Sequence, residues 1–395
     1  MKLLTFRYLL VALTFVSSAC NTDDPESSAS DRGTVVSSAD VGSLTKDQVV
    51  AAITEFPAQS IAANDVTLHT ITYSTQVDGK PVDSRGLLIL PKGVASPPLL
   101  AYFHGTLLPL PDLMKVETPS LYTGGNENFR EVRTMGLAFA TAGYATFLPD
   151  YIGYGLTAGQ DHPYINYAEM FVSNIDGLLA ARAFMTSKGI PDDKRLFLTG
   201  WSQGGGACLS AHKYIQEQYA DRFTVVASSS LAGPFNVNRF VNTVLEKDKE
   251  EQGITFVTSW ALYALNKFSG IKRPTDQIWT YPVPNQAAAI LTPSKIPNQV
   301  FKEAFIAGIR QGTDRAFVDL LKSNSVHEGW KPVGKVFLHH GESDDVVPYF
   351  NSTDAVTGLK AQGGDVSLYS YPTGEHDNKL ADFVPTTIKD FGSLK

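Results

Sequence analysis

The stretch GWSQGGG, residues 200–206, places four glycines in seven positions around a single serine, Ser202. Glycine weakens both helices and strands, so this density needs a geometric reason. A strand-like run, KRLFLTG, leads into the stretch, and a helical pattern follows it over residues 205–220. These features predict a very tight strand-to-helix turn that lifts the Ser202 hydroxyl above a sheet, with glycines leaving room on either side.

The rest of the chain alternates strand-like runs with helical patterns. A hairpin is expected where VTLHTITYSTQV and PVDSRGLLILP flank the turn residues DGK. Buried strand-like runs and amphipathic helices then alternate, which predicts an α/β fold with a mostly parallel central sheet and helices on both faces. Residues 235–332 carry only helical patterns. We therefore predict a helical cap insertion there, between two parts of the core at 44–234 and 333–395.

The N-terminal residues have the features of an export signal. Basic residues precede an apolar run that is too short to span a bilayer, and small residues follow it. The segment VSSAC, residues 16–20, resembles a bacterial lipobox, although Ser17 stands where a larger aliphatic residue is common. The resemblance implies a lipoprotein signal peptide over 1–19 and lipidation of Cys20. Simple secretion with an incidental cysteine is the alternative.

The residues after Cys20 are acidic at first and then rich in Ser, Asp and Ala, without apolar periodicity. We predict a flexible tether over 20–43. The acidic start is similar to the surface-export tail of some bacterial lipoproteins. The expected location is therefore the bacterial cell envelope, at the outer membrane, with the protein anchored to the membrane by a lipid on Cys20. Lipidation would leave Cys208 as the one free cysteine, without an intrachain disulfide.

The charge pattern and the histidine spacing exclude several classes of function. The net charge is −7 and no basic stripe is present, so no nucleic-acid partner is expected. The histidines are scattered, and neither an H-E-x-x-H motif nor a cysteine cluster occurs, so no metal site is expected. The glycines after Ser202 lack the Lys-Ser/Thr of a phosphate-binding loop. We expect no cofactor.

Ser202 has the position of a nucleophile, and a serine nucleophile needs a base. With this type of turn, an acid and then a histidine follow in chain order. Asp344 follows a strand-like run in HHGESDDVVPY; Asp345 is its rival and Glu342 a more distant one. His376, in YPTGEHD, is the histidine in the loop before the final helix. We predict a catalytic triad of Ser202, His376 and Asp344.

A negatively charged reaction intermediate needs N–H donors, which form an oxyanion hole. The amide of Gln203, directly after the nucleophile, is one expected donor. The second is expected in the loop after the strand-like run LLAYF, where Gly105 permits close approach and the amide of Thr106 points inward. The Thr106 hydroxyl is a candidate third donor. Leu107 is the alternative position for the second amide.

Taken together, the motifs YFHGT, ATFLPDYIGYG, HPY, GWSQGG, HGESDDVVP and GEH resemble those of the α/β-hydrolases over most of residues 65–395. They are similar to the secretory lipase and lysophospholipase-like branch, which carries a helical insertion before the acid strand. The resemblance implies a serine hydrolase that cleaves a small-molecule or lipid ester through an acyl-enzyme. The alternatives are an aminopeptidase-like serine peptidase with the same triad and a non-catalytic surface-binding lipoprotein on a hydrolase scaffold.

Overall fold

The computed structural model of the chain describes residues 31–110, 127–191 and 193–395, with side chains in the second range from residue 134 onward. The predicted signal peptide, Cys20 and the start of the predicted tether lie outside these residues. Every helix in the described ranges is too short or too polar to cross a membrane.

One sheet of nine strands lies at the centre of the described fold. The strands are β1 (Val35–Leu44), β2 (Val66–Val77), β3 (Lys80–Pro91), β4 (Leu99–Phe103), β5 (Ala145–Pro149), β6 (Arg195–Trp201), β7 (Thr224–Leu231), β8 (Lys335–Gly341) and β9 (Val366–Tyr371). Their order is β1-β2-β3-β5-β4-β6-β7-β8-β9. The pairs β1–β2, β2–β3 and β3–β5 are antiparallel, and all pairs from β5 to β9 are parallel. The carboxyl ends of β4, β6, β7 and β8 therefore share one edge of the sheet.

Helices connect these strands and cover the sheet. They are α1 (Lys46–Ala52), α2 (Ala58–Ile61), α3 (Glu127–Thr141), α4 (Tyr167–Ser187), α5 (Gln203–Gln218), α6 (Val237–Glu246), α7 (Thr255–Phe268), α8 (Gln286–Ile290), α9 (Pro297–Val300), α10 (Glu303–Arg310), α11 (Arg315–Ser323), α12 (Phe350–Ala361) and α13 (Leu380–Gly392). On β6, Leu196 and Leu198 pack with α4 and α5 on one face, while Phe197 packs with α3 and α13 on the other. Successive strand residues therefore face two hydrophobic cores, one on each side of the sheet. The mostly parallel sheet with helices on both faces confirms the predicted fold class.

The strand β1 corrects one prediction. Residues 35–43 belong to the predicted flexible tether, yet they form the edge strand of the sheet. Nearly every residue of β1 is exposed, so no apolar periodicity marks it in the sequence. Backbone hydrogen bonds to β2 hold it instead. Just before the strand, the Arg32 guanidinium pairs with the buried Asp176 carboxylate of α4 at 2.9 Å.

The segment between β7 and β8 is helical in the structure. It contains α6 to α11. Its β-type pairing is an isolated bridge between Trp279 and Phe301. Buried side chains of this segment, including Trp260, Trp279 and Phe301, join the same hydrophobic core as α4 and α5. The segment therefore packs against the helices on one face of the sheet. It also extends to the carboxyl ends of the parallel strands, where the predicted site residues lie.

Candidate active site

Ser202 occupies a strained turn between β6 and α5. Its φ of 56° and ψ of −122° lie in a region that side-chain-bearing residues rarely adopt. A Cβ added to Gly200 would overlap the Gly204 carbonyl oxygen, and one added to Gly204 would overlap the Phe103 carbonyl oxygen. The glycines on both sides of Ser202 thus allow β4, β6 and α5 to approach closely. This is the geometric reason for the glycine density in the sequence.

The structure brings Ser202, His376 and Asp344 together in one chain of hydrogen bonds. The Ser202 Oγ lies 2.9 Å from His376 Nε2, and His376 Nδ1 lies 2.8 Å from Asp344 Oδ2. An ionised carboxylate only accepts, so His376 Nδ1 carries the proton and Nε2 is left to accept from the serine hydroxyl. Asp345, the rival acid in the sequence, is exposed.

The loop after β8 holds the Asp344 carboxylate through several donors. Its Oδ1 accepts hydrogen bonds from the amides of Val346 at 2.9 Å and Val347 at 2.8 Å. Burial alone would raise the pKa of Asp344, but hydrogen bonds from His340 and His376 outweigh it and hold the pKa below its usual value. Asp344 is therefore ionised at neutral pH.

His340 is the second histidine that contacts the Asp344 carboxylate. The sequence motifs did not predict this contact. Its Nε2 lies 3.2 Å from Asp344 Oδ2 and 2.8 Å from the Val347 carbonyl oxygen. Both partners are acceptors, so Nε2 carries the proton, and Nδ1 accepts from the Ser352 hydroxyl at 2.7 Å. These contacts fix the ring and the carboxylate relative to each other.

Trp201 connects the serine turn to the histidine loop. Its indole Nε1–H donates to the His376 carbonyl oxygen at 2.9 Å, and the two rings lie 5.5 Å apart. The residue before Ser202 therefore contacts the backbone of His376. Nothing in the G-x-S-x-G motif signals this contact, because the motif leaves that position open.

The predicted oxyanion donors line the same cavity as Ser202 and His376. Within the described part of the chain, neither the Thr106 amide nor the Gln203 amide donates a hydrogen bond to the protein. The Gln203 amide also begins α5, where the helix dipole favours negative charge. Both amides are thus available to a ligand. Leu107, the alternative position, lines the cavity as well.

A buried histidine in the HPY motif supports the Gln203 side chain. His162 Nδ1 donates to the Ile152 carbonyl oxygen at 2.7 Å, so its Nε2 accepts from the Gln203 side-chain amide at 2.5 Å. Burial lowers the pKa of His162 to about 3, and the ring is neutral at pH 7. The Gln286 side chain of α8 accepts from the His162 amide at 2.9 Å. The helical segment after β7 therefore contacts the residue that steadies Gln203.

The cavity in front of Ser202 has a volume of about 330 Å³ and a mainly apolar wall. The core contributes Leu107, Leu108, Ile165, Val346 and Val347, and the segment after β7 contributes Pro234, Phe240, Phe256 and Val257. Among the described residues, no Asp, Glu, Lys or Arg lines it. The site therefore combines an activatable hydroxyl, unpaired N–H donors and a wall that favours uncharged groups.

Comparisons with known proteins agree with this architecture. The sequence model of the family described as serine aminopeptidase, S33, matches residues 120–379. The rice cell wall degrading esterase LipA from Xanthomonas oryzae is 21% identical, with a TM-score of 0.76 over 92% of this chain and 100% of that one. Lipase A from Candida antarctica is 18% identical, with a TM-score of 0.64 over 92% of this chain and 83% of that one. A search of curated proteins finds no match. The resemblance to α/β-hydrolases expected from the motifs is confirmed.

Proposed function

The chain belongs to the serine aminopeptidase S33 family and has the α/β-hydrolase fold, and on this premise we propose that it is a serine hydrolase that cleaves carboxylic esters. One observation carries the proposal. The hydrogen-bonded series Ser202–His376–Asp344 opens onto an apolar cavity beside two unpaired amides. The expected substrates are esters with an uncharged acyl group, from small molecules or lipids.

The first half of the proposed reaction forms an acyl-enzyme. His376 Nε2 takes the Ser202 hydroxyl proton while Oγ attacks the ester carbonyl carbon. The carbonyl oxygen becomes negative and accepts hydrogen bonds from the amides of Thr106 and Gln203. The ionised Asp344 keeps the proton on Nδ1 and stabilises the imidazolium. His376 then gives its new proton to the leaving alcohol oxygen as the carbon–oxygen bond breaks.

Water completes the reaction by the same route. His376 accepts a proton from the water as it attacks the acyl carbonyl, and the tetrahedral intermediate uses the same two amides. The intermediate collapses, the proton passes to Ser202 Oγ, and the carboxylic acid leaves.

The cavity favours esters over N-terminal peptides. An aminopeptidase must hold a substrate ammonium group, and a charge that enters an apolar site without a partner is strongly disfavoured. Within the described lining, no carboxylate is available to pair with it. The preference can be measured by assaying the purified protein on a p-nitrophenyl ester and an aminoacyl-p-nitroanilide side by side. Faster turnover of the anilide would favour the peptidase.

We predict that Ser202→Ala leaves a folded protein without esterase activity, because the variant lacks the hydroxyl that forms the acyl-enzyme. The loss in kcat is expected to reach about 10⁶-fold, as in other triad enzymes. Ser210→Ala is the matched control, since Ser210 is a buried serine on α5, and among the described residues its hydroxyl bonds only to the Ala207 carbonyl oxygen. It should retain nearly full activity.

Two results would contradict the assignment. One is a Ser202→Ala variant that hydrolyses the p-nitrophenyl ester at the wild-type rate. The other is a wild-type protein that fails to react covalently with a fluorophosphonate probe, which would instead favour a non-catalytic scaffold. The Ser210→Ala variant should label like the wild type.

A further inference from the structure

The Thr106 hydroxyl has a buried tyrosine as its hydrogen-bonding partner. Thr106 Oγ1 lies 2.9 Å from the Tyr164 hydroxyl oxygen, and either atom could donate by geometry. Both residues line the cavity that holds Ser202, but Tyr164 is only 3% exposed, whereas Thr106 is partly exposed. The two residues therefore differ in exposure, and the acceptors available to each hydroxyl indicate the direction of the bond.

The direction follows from the available acceptors. In the described part of the chain, the Tyr164 hydroxyl makes no other hydrogen bond, so its proton is satisfied only by donation to Thr106 Oγ1. Once Thr106 accepts from Tyr164, its own proton must point elsewhere. No described protein acceptor takes it, and the open direction is the cavity.

We propose that the Thr106 hydroxyl is a third oxyanion donor and that Tyr164 positions it by occupying its acceptor side. This inference rests on the proposed esterase function, because it concerns the same tetrahedral intermediate. The amides of Thr106 and Gln203 border the cavity beside it. A hydroxyl donor in this place stabilises the oxygen most when that oxygen becomes negative. Its contribution should therefore raise kcat more than it lowers KM.

The segment after β7 holds Tyr164 in place. The Tyr164 ring stacks on Trp260 of α7, with ring centroids 4.0 Å apart and planes 2° apart. Two residues earlier, the His162 amide donates to the Gln286 side chain of α8, and the His162 ring accepts from the Gln203 side-chain amide. One short loop, residues 162–164, thus links the helical segment to both oxyanion residues. Tyr164 is a positioning residue, because it acts through Thr106.

Four variants test the proposal on the p-nitrophenyl ester. Thr106→Val keeps the amide and nearly the same shape but removes the hydroxyl, and its kcat should fall about 10- to 100-fold with little change in KM. Thr106→Ser keeps the hydroxyl and should stay within about threefold of the wild type. Tyr164→Phe keeps the stacked ring and should lower kcat by a smaller factor, about 3- to 10-fold. The double variant Thr106→Val/Tyr164→Phe should match Thr106→Val alone, because Tyr164 has nothing left to orient.

The double variant separates positioning from a general structural effect. If Tyr164→Phe slows the Thr106→Val enzyme by the same factor as it slows the wild type, the two residues act independently and the proposal is overturned. Wild-type kcat in Thr106→Val would also overturn it. Thr106→Ala, which lacks the hydroxyl as well, must show the same loss, and it serves if the valine variant does not fold.

The proposed function is tested separately in the same experiment. Residual ester turnover of Thr106→Val should disappear when Ser202→Ala is added. If turnover does not depend on Ser202, both the esterase mechanism and the third donor fail. If turnover depends on Ser202 but not on the Thr106 hydroxyl, only the third donor fails.

Discussion

Asp344 and Asp345 are neighbours with opposite surroundings, and this contrast provides a test of the triad. We predict that Asp344→Asn lowers kcat by about 10⁴-fold, because the amide donates to His376 Nδ1 and favours the wrong imidazole tautomer. Asp345 is exposed, and Asp345→Asn should remain within about twofold of the wild type. Steady-state kinetics on the p-nitrophenyl ester at pH 7 provide the comparison. Equal losses in the two variants would mean that Asp344 is not the triad acid.

At the level of single residues, the predicted triad residues could be located from the sequence, but the residues that contact and position them could not. Ser202 and His376 could be proposed because a local motif and the chain order locate them. Trp201 and His376 are 175 residues apart, and no local pattern connects the indole to that carbonyl oxygen. The contacts of His340, His162 and Tyr164 depend in the same way on how distant elements pack. The sequence favours Asp344 as the acid but leaves Asp345 and, more distantly, Glu342 as rivals. The two backbone amides that bind Asp344 are apparent only in the folded loop.

At the level of elements, the turn between β6 and α5 leaves room only for glycine at the positions two before and two after Ser202. We predict that Gly204→Ala destabilises the fold by about 3 kcal/mol, since the new methyl group meets backbone rather than a movable side chain. Gly253→Ala is the control, because nothing lies within 4 Å of its added Cβ. Urea unfolding should show a large loss for the first variant and almost none for the second. A Gly204→Ala protein as stable as the wild type would contradict the close approach of α5 to β4.

Strands could be predicted where burial marked them. The hairpin of β2 and β3 was predicted because alternating side chains flank Asp78-Gly79, and the structure pairs these strands through that turn. The parallel strands β4, β5 and β6 were predictable because each carries a short, mainly apolar run. In contrast, β1 has no buried face, and its pairing with β2 depends on backbone groups that every sequence has. Edge strands of this kind leave little trace in the hydrophobic pattern.

At the scale of the whole molecule, the core encloses histidines that must stay neutral. Burial lowers the pKa of His104 to about 4 and that of His162, His212 and His339 to about 3, against an ordinary value of 6.5. They lie on different elements: His212 on α5, His339 on β8, and the other two in loops beside the site. Folding therefore requires several imidazole rings to remain unprotonated at once. The free energy of unfolding of the whole molecule should therefore depend on pH.

The sign of the pH effect follows from these lowered values. Between about pH 6.5 and pH 4, the unfolded chain binds protons that the folded chain excludes, so acid favours unfolding. We predict that the free energy of unfolding is highest above about pH 7 and falls as the pH is lowered to about 4.5. The slope contributed by each histidine can approach about 1.4 kcal/mol per pH unit.

Urea unfolding at pH 7.5, 6.5, 5.5 and 4.5 measures this slope, and one variant isolates the contribution of a single ring. His212 Nδ1 bonds to the Ser228 hydroxyl, and its Nε2 has no hydrogen-bond partner among the described residues. His212→Leu removes the titrating ring, so its stability should fall less steeply than that of the wild type below about pH 6.5. The two stability curves should therefore converge or cross on acidification. Because other titrating groups are common to both proteins, parallel curves would mean that His212 does not resist protonation in the folded state.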